Sequence, residues 1–216
     1  MSVSYEELPF GLTWVVDEPM RRTSHALVDG GRVWIVDPVA EPEALERARA
    51  LGEVAGVLQL LDRHGRDCAA VARELGVPLS VVPDELPGTA FECIPVVRRW
   101  RWRETALWWP EQRALVVPEA VGTTRVFTGG AGPVGVHLLL RVTPPGRLRA
   151  YEPQHLLVGH GHGVHGRTAA DGLTRALDHS WRDLPKAMLA VPSALRDHPT
   201  TPRRPRGPAR GAHRHR

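Results

Sequence analysis

The chain has 216 residues, 28 of them basic and 24 acidic, a formal net charge of +4 and two cysteines. That length suits one domain able to bury its own core, two cysteines cannot build a disulfide framework, and there is neither a run of 18 apolar residues nor a signal-peptide pattern. The expectation is a cytoplasmic protein with reduced thiols and no membrane association.

An apolar run from Leu12 to Val16 comes first. Ser24 to Asp37 then reads as two strands joined by Asp29-Gly30-Gly31, where the Asp-Gly step supplies the positive φ of a tight hairpin. Pro42 to Leu51 places Leu45, Ala48 and Leu51 at helical spacing, with Pro in the first turn and Gly52 past the end. Val54 to Leu61 is a nearly continuous apolar run of strand length, as a strand buried on both faces requires. Arg66 to Leu75 follows as a helix stopped by Gly76. Further strands are expected at Leu79–Val82, Phe91–Arg99, Thr105–Trp109 and Ala114–Val117, and Leu148–Tyr151 reads as the end of a helix. Leu156 to His160 reads as a strand entering a glycine-rich loop, and Thr168–Trp181 and Asp183–Leu189 as closing helices. Strands and helices interleaved in two similar halves predict an α/β (α+β) fold of two mixed sheets face to face with helices outside.

The last 20 residues hold six arginines (Arg203, Arg204, Arg206, Arg210, Arg214 and Arg216) against the single acid Asp197. They account for the whole net charge, so residues 1–196 read as a near-neutral domain. Residues 197–216, rich in Arg, Pro and His, read as a disordered tail that cannot offset its ordering entropy.

Several segments, taken in order, resemble the metallo-β-lactamase (MBL) superfamily. Ile35-Val36-Asp37-Pro38 is similar to the strand that closes in Ile-Asp-Pro-Gly. Leu58-Gln-Leu-Leu-Asp-Arg-His-Gly-Arg-Asp67 resembles the strand running into His-x-His-x-Asp-His, and Ala114-Leu-Val-Val-Pro-Glu119 the strand leading to Gly-Asp-Ala-Leu. His155-Leu-Leu-Val-Gly-His160-Gly-His-Gly resembles the loop carrying the last histidine. The resemblance covers about residues 24–166 and implies a four-layer αββα sandwich descended from a metallo-hydrolase.

Carried over position by position, the resemblance implies a rebuilt metal site. The ligand positions read Asp62, His64, Arg66, Asp67, Glu119 and His160, and the Gly-His-Thr position falls in the arginine-tryptophan run Arg99 to Arg103. A hydrolytic zinc site needs about three protein ligands and an open position for water. Arg66 instead brings a permanent positive charge to a cation's place. One reading is a metal-poor cleft, with Arg66 and Arg101 or Arg103 paired to Asp62, Asp67 and Glu119 in place of metal charge. The alternative is a single zinc or other divalent cation held by members of the set Asp62, His64, Asp67, Glu119 and His160. Any remaining activity is then hydrolysis of an ester, thioester or phosphoester, with Glu119, His64 and His160 nearest the chemistry. A further alternative is a non-catalytic module binding a small anionic ligand, or nucleic acid through the tail and the Arg99–Arg103 strand.

Other candidates have plainer explanations beside them. Arg98 to Arg103 alternates Arg and Trp at period two, which on a strand puts Arg99, Arg101 and Arg103 on one face and Trp100 and Trp102 on the other. That pattern reads as a strand with tryptophans in the core, or as a nucleic-acid surface. His162 and His165 read as loop histidines, His25 as a structural residue near the site floor, and Cys68 as a small buried residue at a helix start.

Overall fold

The computed structural model describes residues 2–64 and 66–194. The tail and its boundary at 196 lie outside the described residues. Six strands form one sheet in sequential order: β1 (Val3–Leu8), β2 (Gly11–Val16), β3 (Thr23–Asp29), β4 (Arg32–Val36), β5 (Glu53–Gln59) and β6 (Leu79–Val81). The first four run antiparallel, and β5 and β6 are added in parallel. The second sheet contains β7 (Glu92–Arg99), β8 (Trp102–Trp109), β9 (Ala114–Val117), β12 (His155–Val158) and β13 (Val164–His165), ordered β13-β12-β9-β8-β7. Between them in sequence, β10 (Val121–Gly122) and β11 (Gly135–Val136) pair as a small ribbon.

Because successive strand residues point to opposite faces, each buried strand feeds two apolar layers. Ala26, Ile35 and Val57 pack outward beneath α1 (Pro42–Ala50) and α2 (Cys68–Leu75). Their neighbours Leu27, Val36 and Leu58 face Leu107, Val116 and Leu157 of the second sheet. The other side of that sheet, with Leu115, Val117 and Leu156, meets Ala169, Leu173 and Leu177 of α4 (Arg167–Asp178). Three apolar layers separate four layers of structure, an αββα sandwich completed by α3 (Arg125–Thr128) and α5 (Leu184–Ala194).

The elements expected from periodicity are present with small changes of boundary. The segment at Leu148 is a 3-10 helix, Gly146–Ala150, and not the end of an α-helix. A larger correction concerns Arg99 to Arg103. These residues are not one strand but the tip of the β7–β8 hairpin, turned by Arg101 at φ 64°. Strict alternation therefore breaks there: Trp102 is buried and Trp100 is 91% exposed.

Candidate metal centre

Parallel strands end at one edge of the sandwich, and the loops leaving them gather residues far apart in sequence. His64 follows β5, Glu119 follows β9, His137 follows β11 and His160 follows β12. One carboxylate oxygen, Glu119 Oε2, lies 2.8 Å from His64 Nε2 and 2.9 Å from His160 Nε2. The ligand atoms of these three buried residues all lie within 4.8 Å of one another. The other oxygen, Glu119 Oε1, lies 3.3 Å from His137 Nε2.

The far side of His160 and of His137 fixes what each ring presents to Glu119. His160 Nδ1 is 2.9 Å from the Met20 carbonyl, which can only accept, so Nδ1 carries the proton and the Nε2 of a neutral ring offers a lone pair. His64 Nδ1 lies 3.6 Å from the Asp37 carboxylate, an electrostatic contact too long for a hydrogen bond, and the ring's hydrogen-bond contact is the one from Nε2 to Glu119 Oε2. His137 is opposite to His160: its Nδ1 accepts the Leu139 N–H at 3.2 Å, so Nε2 bears the proton directed at Glu119. Burial alone would raise the Glu119 carboxyl, but its contacts with His160 and His64 outweigh burial and hold it well below the usual carboxylate range. Burial opposes a charged His64, yet the contacts with Asp37 and Glu119 prevail and its pKa is raised. His137 is lowered, chiefly by burial.

Two further features hold this geometry. Glu104, fully buried on β8, accepts the N–H groups of Glu119 and Ala120 through Oε1, at 3.1 and 2.8 Å, and the Trp102 indole N–H through Oε2 at 2.9 Å. Burial pushes its carboxyl up to about 7. Gly159 lets β12 approach β9: a Cβ there would lie 2.0 Å from the Pro118 carbonyl oxygen, so only glycine brings His160 beside Glu119.

The structure brings His64, Glu119 and His160 together, as the motif positions require, and leaves the other expected ligands outside. Asp62 Oδ2 accepts the Arg103 N–H at 3.0 Å, and Asp67 Oδ2 accepts the Ala40 N–H at 2.8 Å, so both carboxylates fasten loops. The expected Arg66–carboxylate pair does not form. The guanidinium donates to three backbone carbonyls, Thr23 and Asp37 through Nη1 at 2.6 and 2.9 Å and Gly159 through Nη2 at 2.9 Å. Carbonyls are its partners because it lies where three strand ends converge and present main-chain oxygens with lone pairs to spare. Arg101 is exposed at the hairpin tip, over the Trp100 ring at 5.7 Å, and replaces no cation at the centre.

His25 is buried on β3 against Thr13, with its pKa pushed down to about 4 by burial. Cys68 is a core residue whose thiol burial raises to about 12. His162 is exposed, and His165 contacts His155 and Glu6 away from the centre. Sequence reasoning missed His137, which no motif marks, and Glu104, hidden by the arginine-tryptophan alternation. It noted Asp37 only as a strand end, although an acid closing a buried strand is a signal for such a role.

No family model matches the sequence, and no curated protein is similar to it at the level of sequence. Solved structures are similar in fold. The DIM-1 metallo-β-lactamase superposes with a TM-score of 0.61 at 14% identity, covering 87% of this chain and 99% of that one. A metallo-β-lactamase from Pontibacter korlensis gives 0.59 at 10% identity, over 85% and 99%. A chemotaxis sensor, ODP, described as a peroxy diiron species, gives 0.56 at 13% identity, over 82% and 93%. The agreement is in architecture, and on it the chain has the metallo-β-lactamase fold.

Proposed function

We propose that the chain is a metallo-hydrolase of the one-cation kind, with His64, Glu119 and His160 holding a single divalent ion and the reaction being hydrolysis of an ester, thioester or phosphoester. The observation that carries this reading is the convergence of three buried ligand atoms, His64 Nε2, Glu119 Oε2 and His160 Nε2, all within 4.8 Å of one another. Two imidazole Nε2 atoms face one carboxylate oxygen at 2.8 and 2.9 Å, so that one cation could be shared by all three. Two histidines and a carboxylate are an accepted donor set for zinc, iron or manganese. The residues fit one cation and not two, since Arg66 brings its own fixed charge to a second-site position.

A divalent ion would supply a Lewis acid and a water of lowered pKa there. The chain's own residues do the rest. The Met20 carbonyl sets the tautomer of His160, and the Asp37 carboxylate lies beside His64 and favours positive charge there. His137, a neutral ring, faces the second oxygen of Glu119 with its Nε2 and helps to orient that carboxylate. Arg66 ties the surrounding loops without occupying a ligand.

A second reading puts protons in place of the cation, giving an imidazolium–carboxylate network without hydrolase activity; the raised pKa of His64 favours it. Calorimetric titration of metal-stripped, tag-free, full-length protein with zinc and with manganese separates the two. The expected result is one ion per chain, lost in His64→Asn and in His160→Asn, both of which leave the tail histidines intact. Absence of binding, or binding indifferent to both substitutions, would establish the proton-filled network instead.

A further inference from the structure

Most large apolar side chains among the described residues are buried, and of the exposed ones all but Leu51 and Val81 lie on one set of connected elements. Trp100, Leu139, Val142, Trp181, Met188 and Leu189 are each more than half exposed. They sit on elements joined to one another. The β7–β8 hairpin is tied to the segment after His137 by the Arg99–Thr143 hydrogen bond at 2.6 Å. That segment is tied to the residue before Trp181 by Arg141, whose Nη1 donates to the Ser180 carbonyl at 3.2 Å. Trp181 leads into α5, which packs on the 3-10 turn Leu138–Leu140 and on α3. On α5 the inner face is Ala187 and Ala190, while Met188 and Leu189 are turned outward. A helix apolar on both faces is the pattern of one that is covered on both.

The charges left unpaired around this surface are basic, the exposed acids Asp84 and Asp178 being paired with Arg98 and Arg149. Arg99, Arg101, Arg103, Arg182 and Lys186 are exposed, and among the described residues none of them is in an ion pair with a carboxylate. The one acid in this stretch of α5 and its approach, Asp183, is buried and 3.4 Å from Arg175. A cavity of about 250 Å³ between the hairpin and the following segment has Arg99 and Arg147 in its wall. Beyond α5 the sequence continues into the 20 residues that carry six arginines and one acid.

We propose that this face docks on an anionic lipid bilayer. Apolar side chains and tryptophans would enter the headgroup boundary, and the arginines and Lys186 would meet lipid phosphates. A second copy of the chain is disfavoured as occupant because a two-fold contact would oppose the same cations to each other. Single-stranded nucleic acid accounts for the arginines and for Trp100 but gives Leu139, Val142, Met188 and Leu189 nothing to bury against. The proposal is independent of the cation at the metal centre.

The test is flotation of the full-length, metal-stripped protein with vesicles of phosphatidylcholine alone and of phosphatidylcholine containing phosphatidylglycerol, with tryptophan emission as a second readout. Binding is expected to the anionic vesicles with a blue shift, to weaken as salt rises, and to be weak on neutral ones. Met188→Ser/Leu189→Ser should bind about tenfold more weakly or worse, with an unchanged melting temperature because both side chains are already in solvent. Trp181→Ser is the second variant, with the same expectation. No partition to anionic vesicles would overturn the proposal, as would equal partition of the variants, which would assign binding to the arginine-rich tail. A concentration-dependent dimer dissolved by the same substitutions, or binding to a single-stranded oligonucleotide without binding to vesicles, would also overturn it.

Discussion

Arg66→Met removes the fork that joins three strand ends while keeping the length of the side chain. The guanidinium makes three hydrogen bonds to backbone carbonyls, and bonds from a charged donor are worth about 1.5–3 kcal/mol each. The simple sum overstates the loss. The Asp37 carbonyl also accepts the Ser24 hydroxyl at 2.9 Å, and the Gly159 carbonyl also accepts the Thr23 N–H at 2.9 Å, so two of the three acceptors keep a partner. Burial, which lowers the Arg66 pKa, is also a desolvation cost that the variant recovers. The net expectation is about 3 kcal/mol of lost stability, read as a lower urea midpoint at unchanged slope. Arg66→Lys should lose nearly as much, because one ammonium cannot span three separated oxygens. Removing this charge from beside His64 should also tighten divalent-ion binding, since Arg66 opposes positive charge there. A stability loss below about 1 kcal/mol would refute the idea that Arg66 fastens the loops. Weaker ion binding by a variant that remains folded would refute its electrostatic part.

Glu119→Gln should abolish stoichiometric divalent-ion binding while preserving the fold, because the amide still hydrogen-bonds one of the two rings; calorimetry and a melting curve check the two halves. The Glu104 carboxyl is raised from 4.5 to about 7 in the folded protein, so its contribution to stability is full below pH 4.5 and is lost as pH rises to about 7. That loss is about 3 kcal/mol. Glu104→Gln, neutral at every pH, should lack this part of the pH dependence, and parallel slopes for the two proteins in denaturation between pH 5 and pH 7.5 would show the assignment wrong. Gly159→Ala places a methyl group against the Pro118 carbonyl, which forces β9 and β12 apart at the centre. It should cost about 1–3 kcal/mol and weaken ion binding, and a variant matching the parent in both would mean that the two strand ends need no close contact.

How far this structure was legible in the sequence depends on what kind of bond holds each part. Apolar periodicity carries the sandwich, since burying Val57 on one side of β5 and Leu58 on the other is a property of side chains that the sequence displays. His64, Glu119 and His160 were legible through the resemblance of their motif positions, each in the loop that leaves a buried strand. Bonds to the backbone leave no such trace. Arg66 was read as a partner for carboxylates because acids are visible in a sequence and main-chain carbonyls that can accept a further bond are not. Asp62 and Asp67 looked like ligands for the same reason, although both accept main-chain N–H groups. The Arg99–Arg103 alternation misled because a single residue at positive φ, Arg101, converts a strand into a turn without altering the pattern of side chains. His137 was invisible in a different way: its loop follows a two-residue strand, too short for any periodicity, and only tertiary packing brings it to Glu119. The centre is thus built on two levels. Residues at strand ends supply the donors, and main-chain contacts, made by residues whose type suggests other chemistry, decide which donors meet.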